Sequence, residues 1–149
     1  IFIMGNGGSA STASHVANDF GLAVLKKSKN PNLKSYRAQS ITDNMSVISA
    51  TANDSDYSNI FLDQLKVHYR KEDVVILISA SGNSKNLVNA NIFAKKLGLK
   101  VVTLTGCKKN NKLNSIKNDL SFWVNSNEYN TIEIVHHCIL LNIVDGLKK

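Results

Sequence analysis

The stretch "IFIMGNGGSAS" (residues 1–11) joins a short apolar run to a glycine loop and then to a helix-like run. "IFIM" (1–4) is continuously apolar, the pattern of a strand buried on both faces. Gly5-Asn6-Gly7-Gly8-Ser9 follows, and glycines allow close approach of backbone to a ligand. Ser9 can cap the helix read from there to about Leu25, leaving backbone N–H groups for an anion. A second stretch repeats the plan. "DVVILIS" (73–79) reads as a buried strand, and Ala80-Ser81-Gly82-Asn83-Ser84 leads into the amphipathic run "NLVNANIFAKKLG" (86–98). Three serines around a glycine supply hydroxyl donors and nest-like amides suited to a phosphate. Either loop alone would read as an ordinary helix cap; two of them after two buried strands point to a ligand.

Outward from these loops, strands are predicted over 35–41, 100–106 and 119–125, and helices over 45–52, 59–70 and 130–147. Strand and helix alternate, which predicts an α/β fold with a five-stranded, mostly parallel sheet flanked by helices. Ligands on such sheets bind at the carboxyl ends of the strands. The 149 residues suit one domain with one core. No apolar run approaches the roughly 18 residues of a membrane span. The abrupt start at "IFIM" predicts that a segment normally precedes it.

The net charge is +7, but the lysines scatter in ones and twos, so a solvated surface is the plainer reading and a nucleic-acid partner is not expected. Two cysteines without paired spacing, Cys107 and Cys138, suit a reducing, cytoplasmic setting. "GNGGSA" also fits a dinucleotide fingerprint. That fingerprint needs an acidic residue about 20 residues further on, at the end of the second strand. Asp43 lies well beyond that distance, and the serine loop would have no role. A Walker A lysine is missing as well, so NAD and nucleotide readings fall away.

"GNGGSA…H" with "ISASGNS" resembles the sugar isomerase (SIS) domain, and most closely the phosphoheptose isomerases. "SATANDSDYSNIFLDQL" (49–65) and "KVVTLTG" (100–106) are similar to further segments of that family. The resemblance implies one SIS-type domain over 1–149, flavodoxin-like in three layers, without the helices that family members usually carry before the first strand. It implies that Ser79, Ser81 and Ser84 hold a sugar phosphate, with Ala80 where threonine is common. It also implies ligand contacts from Asn6, Gly7, Gly8 and Ser9, and from the pair Asn53 and Asp54, which alone would read as a turn. The implied substrate is sedoheptulose 7-phosphate, converted to a heptose 7-phosphate. The alternative is a non-catalytic SIS module that senses a sugar phosphate or binds a protein.

His15 and Asp19 stand four residues apart and share a helix face. They can be two metal ligands, or a base with its orienting partner. The resemblance implies zinc here, and Asp19 replaces the glutamate usual in that family. The last helix is apolar on nearly every side, so it is expected to be buried. Glu133, His136 and His137 nevertheless fall within one turn, on one side at about 100° per residue. A buried carboxylate needs a partner, a proton or a metal. Glu133 takes a position where the family has glutamine, and Leu141 stands where it has histidine, so His136 or His137 would substitute. Asp19 or Glu133 is the candidate base, and a histidine of the last helix the candidate acid. His15, Asp19, Glu133 and His137 are the candidate zinc ligands. His68 reads as structural or surface. The apolar last helix predicts a homo-oligomer, a tetramer by resemblance.

Overall fold

The structure is a computed structural model and describes residues 1–27, 32 and 35–147. Five strands form one parallel sheet: β1 (Phe2–Gly5), β2 (Gln39–Ser40), β3 (Val74–Ser79), β4 (Lys100–Thr105) and β5 (Leu120–Trp123), in the order β2-β1-β3-β4-β5. Helices α1 (Gly8–Asn18), α2 (Val24–Lys27), α3 (Met45–Asp54), α4 (Ile60–His68), α5 (Lys85–Lys96) and α6 (Tyr129–Leu147) flank it. The fold is the parallel α/β sandwich that strand–helix alternation predicts.

Side-chain alternation divides the core. Phe2, Met4, Val75 and Leu77 point to the side covered by α4 and α5, where they meet Phe61, Leu65, Leu87 and Ala90. Ile3, Ile76, Ile78 and Leu104 point to the other side, against Ala13, Val16 and Phe20 and against Leu140 and Val144 of α6. Both faces are covered, which is why β1 is apolar from Phe2 to Met4 and β3 from Val74 to Ile78.

Four expectations change. Ser9 does not cap α1: Gly7 stands at the N-cap, no side chain caps the end, and Ser9 lies buried inside the first turn. The strand read over 35–41 shrinks to Gln39–Ser40, because it is an edge strand and pairs only with Phe2 and Ile3 of the short β1. Upstream of it, Ser35 donates its hydroxyl to the Gly21 carbonyl (2.7 Å). The first helix does not run evenly to Leu25: a π-helical turn, Asp19–Ala23, separates α1 from α2. The Val24 N–H closes this turn on the Asp19 and Gly21 carbonyls, and Ser35 is a second donor to Gly21. Finally, α6 is not buried all round. Ile132, His136, Leu140 and Val144 form its buried stripe, whereas Ile134 is 64% exposed and Ile143 37%.

Candidate active site

The strand order reverses between β1 and β3, since the chain moves from β1 outward to β2 and then back across to β3. A crevice opens at such a switch point, beyond the carboxyl ends of the two strands. The glycine loop follows β1 and the serine loop follows β3, so topology alone brings the two loops together.

Asn6 ties them. Its Nδ2 donates to Asn86 Oδ1 (3.1 Å), and Asn86 Nδ2 donates back to Asn6 Oδ1 (2.9 Å). The Tyr57 hydroxyl donates to the same Asn6 oxygen (3.1 Å). Asn6 thus holds the first loop against α5 and the turn after α3. In the serine loop, the Gly82 N–H donates to Ser79 Oγ (3.1 Å) and the Asn83 N–H to Ser81 Oγ (3.2 Å). Gly82 has φ +65°, and a Cβ there would lie 2.2 Å from Asn111, so only glycine fits. Ser84 opens α5 without a side-chain cap bond, and its Oγ lies 3.5 Å from that of Ser79.

Between the loops lies a cavity of about 100 Å³, lined by Asn6, Ser9, Ala80, Ser79, Ser81, Ser84 and Glu133 among others. A water occupies about 30 Å³, so this space suits a group of a few heavy atoms. Glu133 also borders a second cavity of about 340 Å³, with Thr12, His137 and Cys138. The carboxylate stands between the two spaces. It reaches there across the first turn of α1: a Cβ on Gly8 would lie 2.1 Å from Glu133 Oε2. The positive end of α1 favours a negative charge in that place.

Helices α1 and α6 therefore converge within one chain. Thr12 Oγ1 and His137 Nδ1 are hydrogen-bonded (3.2 Å), and the His15 and His137 rings meet edge-on with centroids 4.8 Å apart. His15 Nε2 lies 3.6 Å from Asp19 Oδ2. His136 goes elsewhere. It is fully buried, and its Nε2–H donates to the Thr105 carbonyl at the end of β4 (3.0 Å). Burial lowers its pKa, so the imidazole is neutral. One residue is about 100° of helix, enough to turn His136 to the sheet and His137 to α1. Asn53 and Asp54 also stay apart. They sit exposed at the end of α3, with Asn53 Nδ2 donating to Asp54 (2.8 Å), and line neither cavity.

The metal reading meets an obstacle in the same geometry. Asp19, His15 and His137 stand in a row, while Glu133 turns to Gly8. Among the described residues, no group of three or more His, Cys, Asp or Glu is placed to hold a metal ion. The four candidate ligands do not gather around one point within the chain.

Residues 1–106 match the SIS domain. The phosphoheptose isomerase of Helicobacter pylori (strain P12) is 36% identical over the whole of this chain, which spans 74% of that protein. The phosphoheptose isomerase of Thermodesulfovibrio yellowstonii is 43% identical over 91% of this chain, which spans 64% of that protein. The chain belongs to the phosphoheptose isomerase family of SIS domains. The solved structure of phosphoheptose isomerase GmhA from Neisseria gonorrhoeae superposes on this SIS domain with a TM-score of 0.86 and 26% identity, over 98% of this chain and 74% of that one.

Sequence reasoning passes over three residues beside this SIS-domain site. Asp56, Tyr57 and Lys85, with Asn6, Ser58, Ser84 and Asn86, line a cavity of about 500 Å³ that adjoins the serine pocket. Tyr57 lies in the stretch 49–65 that resembles the family, but no role is read for it there. Lys85 does carry a signal: a cation in the first turn of a helix with no acid there opposes the macrodipole.

Proposed function

We propose that this chain is an aldose–ketose isomerase acting on sedoheptulose 7-phosphate to form a heptose 7-phosphate. One observation carries the proposal: the serine hydroxyls and the Glu133 carboxylate line the same small cavity, and His137 borders the larger one beside it. The phosphate sits between the loops, on Ser79, Ser81, Ser84 and the amides at the starts of α1 and α5. The carbon chain enters the larger cavity, so that C1 and C2 lie among Glu133, Thr12 and His137, which line it. Anchoring one end of the substrate presents its C1 and C2 repeatedly in one orientation.

The reaction moves a proton between neighbouring carbons. Glu133 takes it from C1, leaving an enediolate, and returns it to C2. His137, oriented by Thr12 and flanked by His15, moves the matching proton between the two oxygens. Asp19 stands behind His15 and acts through it. Cavity position favours Glu133 over Asp19 as the base. A sensing module needs the serine loop but has no use for a carboxylate in the phosphate pocket, so the catalytic reading is the better supported.

Phosphate anchoring has a direct test. The double change Ser79→Ala and Ser84→Ala is expected to weaken sugar-phosphate binding by at least about tenfold while the fold is retained, since a hydrogen bond to a charged group contributes about 1.5–3 kcal/mol. Calorimetry with intact circular dichroism checks this; unchanged affinity removes the loop from the reading.

We also propose that copies of this chain associate, as a tetramer, in the cytoplasm. Ile134 and Ile143 of α6, with Leu22 (53% exposed) and Leu25 (53% exposed), leave apolar surface that a second copy would cover. Among the described residues, no helix is long and apolar enough to cross a membrane. Sedimentation at micromolar concentration is expected to give a tetramer; a monomer contradicts the assembly.

A further inference from the structure

The phosphate pocket has an electrostatic deficit. Its polar lining consists of serine hydroxyls, the Asn6 amide, Tyr129 and one carboxylate, Glu133, with no cation. A sugar phosphate near neutral pH carries a charge of about −1.5 to −2. Hydroxyls and helix dipoles alone would hold that charge against Glu133.

One cation stands at the edge of this space. Lys85 follows Ser84 directly and lines the cavity of about 500 Å³ that shares Asn6 and Ser84 with the phosphate pocket. It occupies the first turn of α5, which holds no acidic residue, and Ser84 makes no side-chain cap bond there. A lysine in that place weakens an isolated helix, because its charge adds to the positive end of the macrodipole. The same addition strengthens an anion site. Asp56 lies across the cavity and is held below its ordinary pKa first by hydrogen bonds from Ser58, with a smaller pull from Lys85. Lys85 nonetheless makes no direct ion pair among the described residues. Its ammonium, on a flexible four-carbon stem, is available to an incoming anion.

We propose that Lys85 is a specificity residue of the phosphate subsite, supplying the positive charge that selects a dianionic phosphate over an uncharged sugar. The inference rests on the isomerase reading above and adds a contact to it. Lys85 touches the phosphate and not the reacting carbons, so its effect falls on binding.

The test compares Lys85→Met, Lys85→Arg and Ser84→Ala with the unaltered protein. KM for sedoheptulose 7-phosphate and the inhibition constant of inorganic phosphate are read for each. Lys85→Met is expected to raise both constants about tenfold, with kcat within about threefold of the starting value. Lys85→Arg keeps the charge and is expected to retain both constants within about threefold. Rising salt should raise KM in the unaltered protein and in Lys85→Arg more steeply than in Lys85→Met. If Lys85→Met leaves both constants unchanged while Ser84→Ala raises them, Lys85 has no such role and the serine pocket stands. Equal losses in Lys85→Met and Lys85→Arg, or a fall in kcat alone, also overturn it. If the unaltered protein neither turns over the sugar phosphate nor binds inorganic phosphate, this inference fails together with the isomerase reading.

Discussion

Glu133→Gln is expected to lower kcat about 10²–10⁴-fold, the usual contribution of a positioned general base. The exchange keeps the shape of a side chain that packs over Gly8 and removes its charge and basicity. Folding should be nearly unaffected, because Glu133 is half-buried and makes no ion pair among the described residues. KM should change less than kcat, since the serines and not Glu133 hold the phosphate. Asp19→Asn is expected to cost less: Asp19 touches His15 and neither cavity. Steady-state kinetics on both variants, with thermal melts as the control for folding, separates the two carboxylates. Turnover near the unaltered level in Glu133→Gln would remove it as the base, and a larger loss in Asp19→Asn would transfer the role.

Gly8→Ala is expected to mimic the loss of Glu133 without touching it. The new methyl would fall 2.1 Å from Glu133 Oε2 and 2.6 Å from its carboxyl carbon. Those atoms end a flexible side chain, so the carboxylate yields and the backbone of α1 does not. Alanine is also the better helix former, by about 1 kcal/mol over glycine in a helix interior, which keeps stability near its starting value. A displacement of an ångström at a catalytic group costs about 10²-fold, so a loss of at least that order in kcat is expected. The double variant Gly8→Ala with Glu133→Gln should then be little worse than Glu133→Gln alone, because both changes remove one function. Multiplied losses in the double variant would mean that Gly8 acts through something other than this carboxylate.

How much of this was legible in the chain follows from the range of the interactions. The runs at 73–79 and 100–106 announce buried strands because nearly every position meets a covered face, and β3 and β4 appear there within a residue or two. The edge strand was overread, since no local pattern says that β1 offers only Phe2 and Ile3 for pairing. Both ligand loops were readable, because each is a short contiguous motif after a strand. Their joining through Asn6, Asn86 and Tyr57 was not, as those residues lie 51 and 80 positions away from Asn6. Helical periodicity placed Glu133, His136 and His137 on one side, but only the Thr105 carbonyl on β4 decides that His136 faces the sheet. The approach of Glu133 to Gly8 joins opposite ends of the chain and has no local signature at all. Lys85 did have one, a cation at a helix start, and it is hidden in sequence by the scatter of the other lysines.

The claim that the two loops and α6 make one isomerase site is tested most directly by the reaction itself. Folded protein is incubated with sedoheptulose 7-phosphate in deuterium oxide, with and without added zinc, and the products are followed by NMR. The expected result is an aldoheptose 7-phosphate carrying deuterium at C2, since a proton held on Glu133 exchanges with solvent before it returns to carbon. An unchanged ketose under both conditions would contradict the account.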